Sequence, residues 1–209
     1  MAFSQWKQGM MLRKDHSRKG SIDEGIRQLV DLLNSDDRFF TTSSCAGRLM
    51  LIERASHRKI DTSWLFVSHE LADPAEVWER LQKARKPCSF RMEPFILHAC
   101  AADLDAARLL LRACHAAGIK RAGIISLEDR ILVEIIGTEF LDAPVHDGRK
   151  LLVGHEHLDY LVSMGNQKWK RNKNKIELLA GCLQDHLRLD RRRAVTRITS
   201  GGDDPSRNN

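Results

Sequence analysis

The densest group of reactive side chains is Thr41-Thr42-Ser43-Ser44-Cys45-Ala46-Gly47-Arg48. Four hydroxyls, a thiol and a guanidinium in one short stretch make a cradle for an anion, and a glycine lets backbone approach the bound group. The same residues also read as a tight polar hairpin loop whose hydroxyls satisfy only backbone groups. Cys45 and Arg48 stand too close together for the cysteine loop of a phosphatase. Arg54 to His57 and Ser68-His69 fall at expected strand ends, where side chains reach clefts. A histidine such as His69 or His98 is either a half-buried, satisfied residue or a base, since a neutral imidazole is available near pH 7. Glu93-Pro94 either sets a carboxylate beside the following strand or merely bends the chain, and Trp64 either stacks on a base or packs. His155 and His157 lack a third ligand in sequence, so no metal is expected.

Familiar signatures are missing. The sequence has no GxGxxG between strand and helix, no GxxxxGK[ST], no HExxH and no GxSxG, and GIKRAG at 118–123 is a weak substitute for a glycine-rich first turn. A Rossmann-type nucleotide site is therefore unsupported.

The elements that must hold these residues alternate helical with strand-like periods, which points to an α+β domain. Ser21-Ile22-Asp23-Glu24 reads as a capping box opening a helix with Ile22, Ile26, Leu29, Val30 and Leu33 on its apolar face. FFTT, RLMLIE and SWLFV read as strands, followed by a helix capped by Asp73-Pro74 and a strand around PFILHACA. Asp103 caps the next helix, which ends at Gly118. GIISL and RILVEII flank a hairpin at Glu128-Asp129, and LLV adds a further strand. From Glu156 to Leu187 apolar spacing of four and three predicts one long helix with Leu158, Val162, Gly165, Trp169, Asn172, Ile176, Leu179, Leu183 and His186 on its stripe. A single domain is expected over 1–187, followed by a basic, disordered tail over 188–209.

The 209 residues suffice for one domain or two small ones. With 42% apolar and 30% charged residues, collagen-like and wholly disordered readings fail. No apolar run approaches the ~18 residues of a bilayer span, and five scattered cysteines without a CxxC pair suit a reducing compartment, so a cytoplasmic protein without a membrane partner is expected. The net charge of +6 is concentrated between Asn166 and Arg197, where ten Lys and Arg face three acidic residues. Such a local field favours a polyanion, and the bland alternative is a solvated helix face.

SRKGSIDEGI, FFTTSSCAGR, SWLFVSH, FRMEPFILHA and GNQKWKRNKNKIELL occur in this order. Over nearly the whole length to Leu183 the chain resembles the family of tRNA wybutosine-synthesising protein 3, with glycine at position 165 where a small residue, usually alanine, is expected. The resemblance implies a compact α+β methyltransferase, unlike the Rossmann type. It would use S-adenosylmethionine to methylate N4 of the aminocarboxypropyl-bearing intermediate at position 37 of phenylalanine tRNA. On that basis His69 is the expected proton acceptor, with Ser44 and Arg48 beside it in catalysis. Arg48, with Ser43 and Ser44, holds either the methionine carboxylate or a tRNA phosphate. The expected donor site comprises these three residues together with Cys45, Gly47, Trp64, Ser68, Glu93, Pro94 and His98. Cys45 is read as a lining thiol, since a nucleophilic nitrogen needs no covalent enzyme step. Lys19, Asn166, Lys168, Lys170, Arg171 and Lys173 are expected to meet the tRNA backbone. Asn172 either faces substrate or bonds between packed elements, and the roles of Asp15 and Asp23 stay open. The rival readings are a non-catalytic tRNA-binding scaffold that uses only the basic helix, and a small-ligand binding protein.

Overall fold

Period-two runs build two antiparallel sheets in the computed structural model, which describes residues 2–12, 21–54 and 62–200, the last eight as backbone alone. The strands are β1 (Phe39–Cys45), β2 (Arg48–Arg54), β3 (Thr62–Ser68), β4 (Pro87–Glu93), β5 (Ile96–Ala101), β6 (Ala122–Ser126), β7 (Ile131–Ile136) and β8 (Leu141–Asp147). One sheet has the order β1-β5-β7-β6 and the other β3-β2-β4-β8. The helices are α1 (Phe3–Met11), α2 (Glu24–Ser35), α3 (Pro74–Leu81), α4 (Leu104–Ala116) and α5 (His155–Ser200). The arrangement is α+β and not Rossmann-like, as expected.

Apolar faces explain the layers. Ile26, Leu29, Val30 and Leu33 of α2 pack with Leu97, Ala99, Val133 and Ile135 of the first sheet, joined by Leu110 and Cys114 of α4. Leu49, Leu51, Phe90 and Met92 of the second sheet pack with Val77 and Leu81 of α3. Helix α5 serves both cores: Leu158 and Val162 enter the second, while Ile176, Leu179 and Leu183 enter the first. Gly165 lies where α5 crosses the second sheet, and a Cβ there would come within 2.9 Å of Leu49 Cδ2 and 3.0 Å of Phe90 Cε1.

Three connections, β1 to β2, β4 to β5 and β7 to β8, pass from one sheet to the other. The buried amide of Asn172 meets two of them directly. Its Oδ1 accepts the Phe95 N–H at 2.8 Å, and its Nδ2 donates to the Ala46 carbonyl at 2.8 Å. The third is tied in through the Gly137 N–H, which donates to the Phe95 carbonyl at 2.9 Å. Gly47 takes φ +94, and a Cβ on it would stand 2.8 Å from the Glu93 carbonyl oxygen, so both conformation and space require glycine.

Several expectations need correction. The Ser21 capping box does not form: α2 begins at Glu24 with Asp23 at its N-cap, and no side-chain cap bond is made, because the Asp23 carboxylate is used elsewhere. Strand β4 was not anticipated, although Cys88, Phe90 and Met92 alternate with Ser89, Arg91 and Glu93. Strand β8 also escaped, since Pro144 argues against a strand except at a sheet edge, which is where β8 lies. The expected LLV strand shrinks to one bridge between His146 and Leu151. Nor does the long helix stop at Leu187. It continues to Ser200, where a tail without structure was expected from residue 188, and it is fastened on the way by Asp190 and Arg191.

That fastening centres on Asp36, whose carboxylate bonds Arg38 at 2.9 Å and Arg191 at 3.3 Å, while Arg38 reaches Asp190 at 2.6 Å. Burial alone would raise the Asp36 carboxyl, but the hydrogen bonds from Arg38 and Arg191 hold it down at about 2. A carboxyl depressed on folding binds fewer protons in the native state, so its contribution is complete above about pH 4 and is lost as pH falls toward 2. Asp36→Asn should therefore flatten the loss of stability between pH 5 and pH 2 by about 1–2 kcal/mol in urea titrations. Asn172→Ala, which strips a partner from one buried N–H and one carbonyl, should lower stability by about 2–4 kcal/mol at an unchanged m-value.

Candidate active site

β1 and β3 are edge strands, and the buried corner Ala46-Gly47 that joins the sheets meets a surface cleft through Ala46. Two side chains from outside the strands reach it. Asp23, just ahead of α2, accepts the Ala46 N–H at 3.0 Å, and His69, just beyond β3, brings Nδ1 to 3.4 Å from the Asp23 carboxylate. The Cys45 thiol stands within 4.8 Å of the Asp23 carboxylate. Asp23 is 8% exposed, whereas His69 is open to solvent at its far side. His69 Nδ1 makes no hydrogen bond of good geometry.

Local sequence accounts for this placement. Ser68 Oγ accepts the Glu70 N–H and donates to the Glu70 carbonyl, both at 3.0 Å, which turns the chain after β3. Asn166 on α5 then holds that loop with two 2.9 Å bonds to the backbone of Ala72. Beside His69 lies a cleft of about 210 Å³, walled by Gly25, Ala46, Trp169, Asn172 and Lys173, with Glu24, Glu70 and Glu177 around it.

Burial pushes the Cys45 thiol up. The Gly47 N–H and the Arg48 charge oppose this, and Asp23 raises the thiol further. Such a thiol stays protonated near neutral pH and is a poor nucleophile. Asp23, Cys45 and His69 also hold their ligand atoms within 4.8 Å of one another, a grouping that could bind a cation. The histidines weighed from sequence as zinc ligands are engaged differently, with His155 paired to Asp159 at 3.1 Å and packed on Trp78.

The other expected site residues divide into two neighbouring groups. On the second sheet Arg48 bonds Glu93 through Nε at 3.0 Å and Nη2 at 2.9 Å, and its guanidinium lies 4.7 Å from the centre of the Trp64 ring. On the first sheet exposed Ser43 meets His98 Nδ1 at 2.7 Å, and His98 Nε2 meets Glu134 at 2.9 Å. Ser44 is half-buried opposite Leu97, and Pro94 leads into Phe95. Lys19, Asp15 and His57 lie outside the described residues. Asp23 was read only as a first-turn helix carboxylate and a member of a motif, and Glu134 and Glu139 gave no signal of their own.

Glu139, between β7 and β8, gathers cations of the basic cluster on α5: Arg171 at 3.1 Å, Lys175 at 3.2 Å and Lys168 at 3.9 Å. Burial would raise the Glu139 carboxyl, but the Lys175 and Arg171 bonds bring it below its ordinary value. Lys170 and Lys173 are exposed. Among the described residues no helix is long and apolar enough to cross a membrane.

Residues 4–185 match the family model described as Methyltransferase TYW3. The chain is 38% identical over 194 residues to the tRNA wybutosine-synthesizing protein 3 homolog of Xenopus laevis, covering 90% of this chain and 77% of that one. It is 37% identical over 164 residues to a Pyrococcus abyssi protein named tRNA(Phe) 7-((3-amino-3-carboxypropyl)-4-demethylwyosine(37)-N(4))-methyltransferase 2, covering 78% and 80% of the two chains. Its fold is similar to the solved structure of the PH1069 protein from Pyrococcus horikoshii, with a TM-score of 0.79 and 31% identity over 87% of this chain and 95% of that one.

The charges around Cys45 make its reactivity a local probe. Alkylation by iodoacetamide at pH 7.5 should be at least about tenfold slower than for free cysteine. Asp23→Asn, which removes a negative neighbour, should speed it severalfold.

Proposed function

The chain belongs to the methyltransferase TYW3 family, and on that premise we propose that the cleft at its sheet-joining corner is where a methyl group passes from S-adenosylmethionine to N4 of the aminocarboxypropyl-bearing tricycle at position 37 of phenylalanine tRNA in the cytoplasm. The observation that carries the reading is the Asp23–His69 pair beside the cleft, which brings together residues of two of the five collinear motifs, SRKGSIDEGI and SWLFVSH. The residues fit such a donor: a cleft edged by Glu24, Glu70 and Glu177 and faced by Trp169 suits a sulfonium cation.

The donor supplies an electrophilic methyl group for in-line attack by a ring nitrogen. Closing the 3.4 Å between His69 Nδ1 and the Asp23 carboxylate into a hydrogen bond leaves Nε2 to accept the proton that the nitrogen gives up. Cys45 stands beside Asp23 and lines the centre without bonding to substrate. Orientation and exclusion of water supply most of the acceleration. Gly47 serves the corner itself, and Asn166 fixes the His69 loop, so their role in binding is indirect. Lys170 and Lys173, with Arg171 and Lys168 beyond Glu139, face the tRNA backbone, whose hold weakens steeply with salt.

Calorimetry should give saturable heat with S-adenosylmethionine and with its demethylated product S-adenosylhomocysteine, and the purified enzyme should add 14 mass units to the isolated tricyclic nucleoside. No heat with either ligand would favour the scaffold reading. His69→Asn should lower turnover about a hundredfold or more while leaving donor affinity within twofold. An equal loss of both would make His69 a structural residue.

A further inference from the structure

The second sheet carries an unusual charge ladder on the face that Arg48 occupies. Arg48 bonds Glu93 at 2.9 Å, Arg91 bonds Asp142 at 2.5 Å, and Arg91 Nη1 stands 4.0 Å from Glu93. Strands β2, β4 and β8 align these groups in register, with Arg48 opposite Glu93 and Arg91 opposite Asp142. The side chain of Arg91 is only 15% exposed, and its buried Nε makes no hydrogen bond. Leaving a guanidinium donor buried and idle is costly, which a purely structural ion pair avoids. The ladder is neutral overall, with two cations and two anions, so it suits a ligand that is itself neutral but carries both charges. A phosphate would need an excess of cations.

We propose that Arg91, flanked by Glu93 and Asp142, binds an α-amino-acid head, its guanidinium taking the carboxylate and the adjacent carboxylates taking the ammonium. A planar guanidinium edge matches a carboxylate geometrically. Arg48, fixed on the Trp64 ring, holds Glu93 in place and directly follows the Ala46-Gly47 corner that Asp23 bonds, so the ladder begins beside the Asp23–His69 centre. The proposal rests on the methyl-transfer reading for its ligands, because both the donor and the acceptor of that reaction carry this head.

The test compares ligands with and without it. S-adenosylhomocysteine and 5′-methylthioadenosine form the donor pair, read by calorimetry. Phenylalanine tRNA with and without the aminocarboxypropyl chain forms the acceptor pair, read by filter binding. One pair should differ about tenfold to a hundredfold in the wild-type protein, and Arg91→Met should collapse that ratio to within threefold. The pair that collapses identifies the ligand. Asp142→Asn keeps the cation and loses one partner, and it should change the same ratio at least threefold if Arg91→Met does not fold. Ratios that survive both variants, or no discrimination by the wild-type protein, would overturn the proposal. Intact discrimination in a protein that transfers no methyl group would instead sink the methyl-transfer reading and leave the ladder standing.

Discussion

The side-chain amide of Asn172 is the fixed point of the molecule. Two separate sheets must share a site, and chain passing between them exposes backbone groups that neither sheet can pair. One amide answers one donor and one acceptor at once, at 2.8 Å each, from a helix that both sheets already need. Gly47 and Gly137 have no room for a side chain because they close around this amide. The register of Ala46 follows, and with it the position of Asp23, which bonds the N–H of the same residue whose carbonyl Asn172 holds. Chemistry at the corner is thus placed by a residue that does not take part in it.

Much of this was legible in the residues. The α5 stripe came from spacing alone, and Asn172 within it stood out as a polar residue in an apolar series, which is why packing and substrate contact were both open for it. FFTT and RLMLIE were recognisable as strands meeting at a polar turn, and the absence of a glycine-rich turn excluded a Rossmann sheet. The rest failed for physical reasons. Ser21 and Asp23 carry good capping chemistry, but a tertiary partner 23 residues away, the Ala46 N–H, claimed the carboxylate that a local rule assigns to the helix. β8 contains a proline, which local propensity penalises and an edge position forgives. The separation of the cradle residues between the two sheets depends on where the chain turns at Gly47, which spacing does not reveal.

The basic helix shows how composition overstates available charge. Asn166 to Arg197 holds a large formal excess, yet Glu139 and Asp36 draw several of these cations into ion pairs. The field offered to a polyanion comes from the remainder, on the exposed side of α5. Counting residues locates such a surface, whereas geometry sets its strength.

Helix α5, 46 residues long, lends one stretch of its face to each core. Neither sheet with its own helices is then a self-sufficient module that could be excised, shuffled or duplicated, since each would leave behind half of the wall it leans on. The two halves are bound to melt as one cooperative unit, and any lineage that changes the packing of one must do so under the constraint of the other.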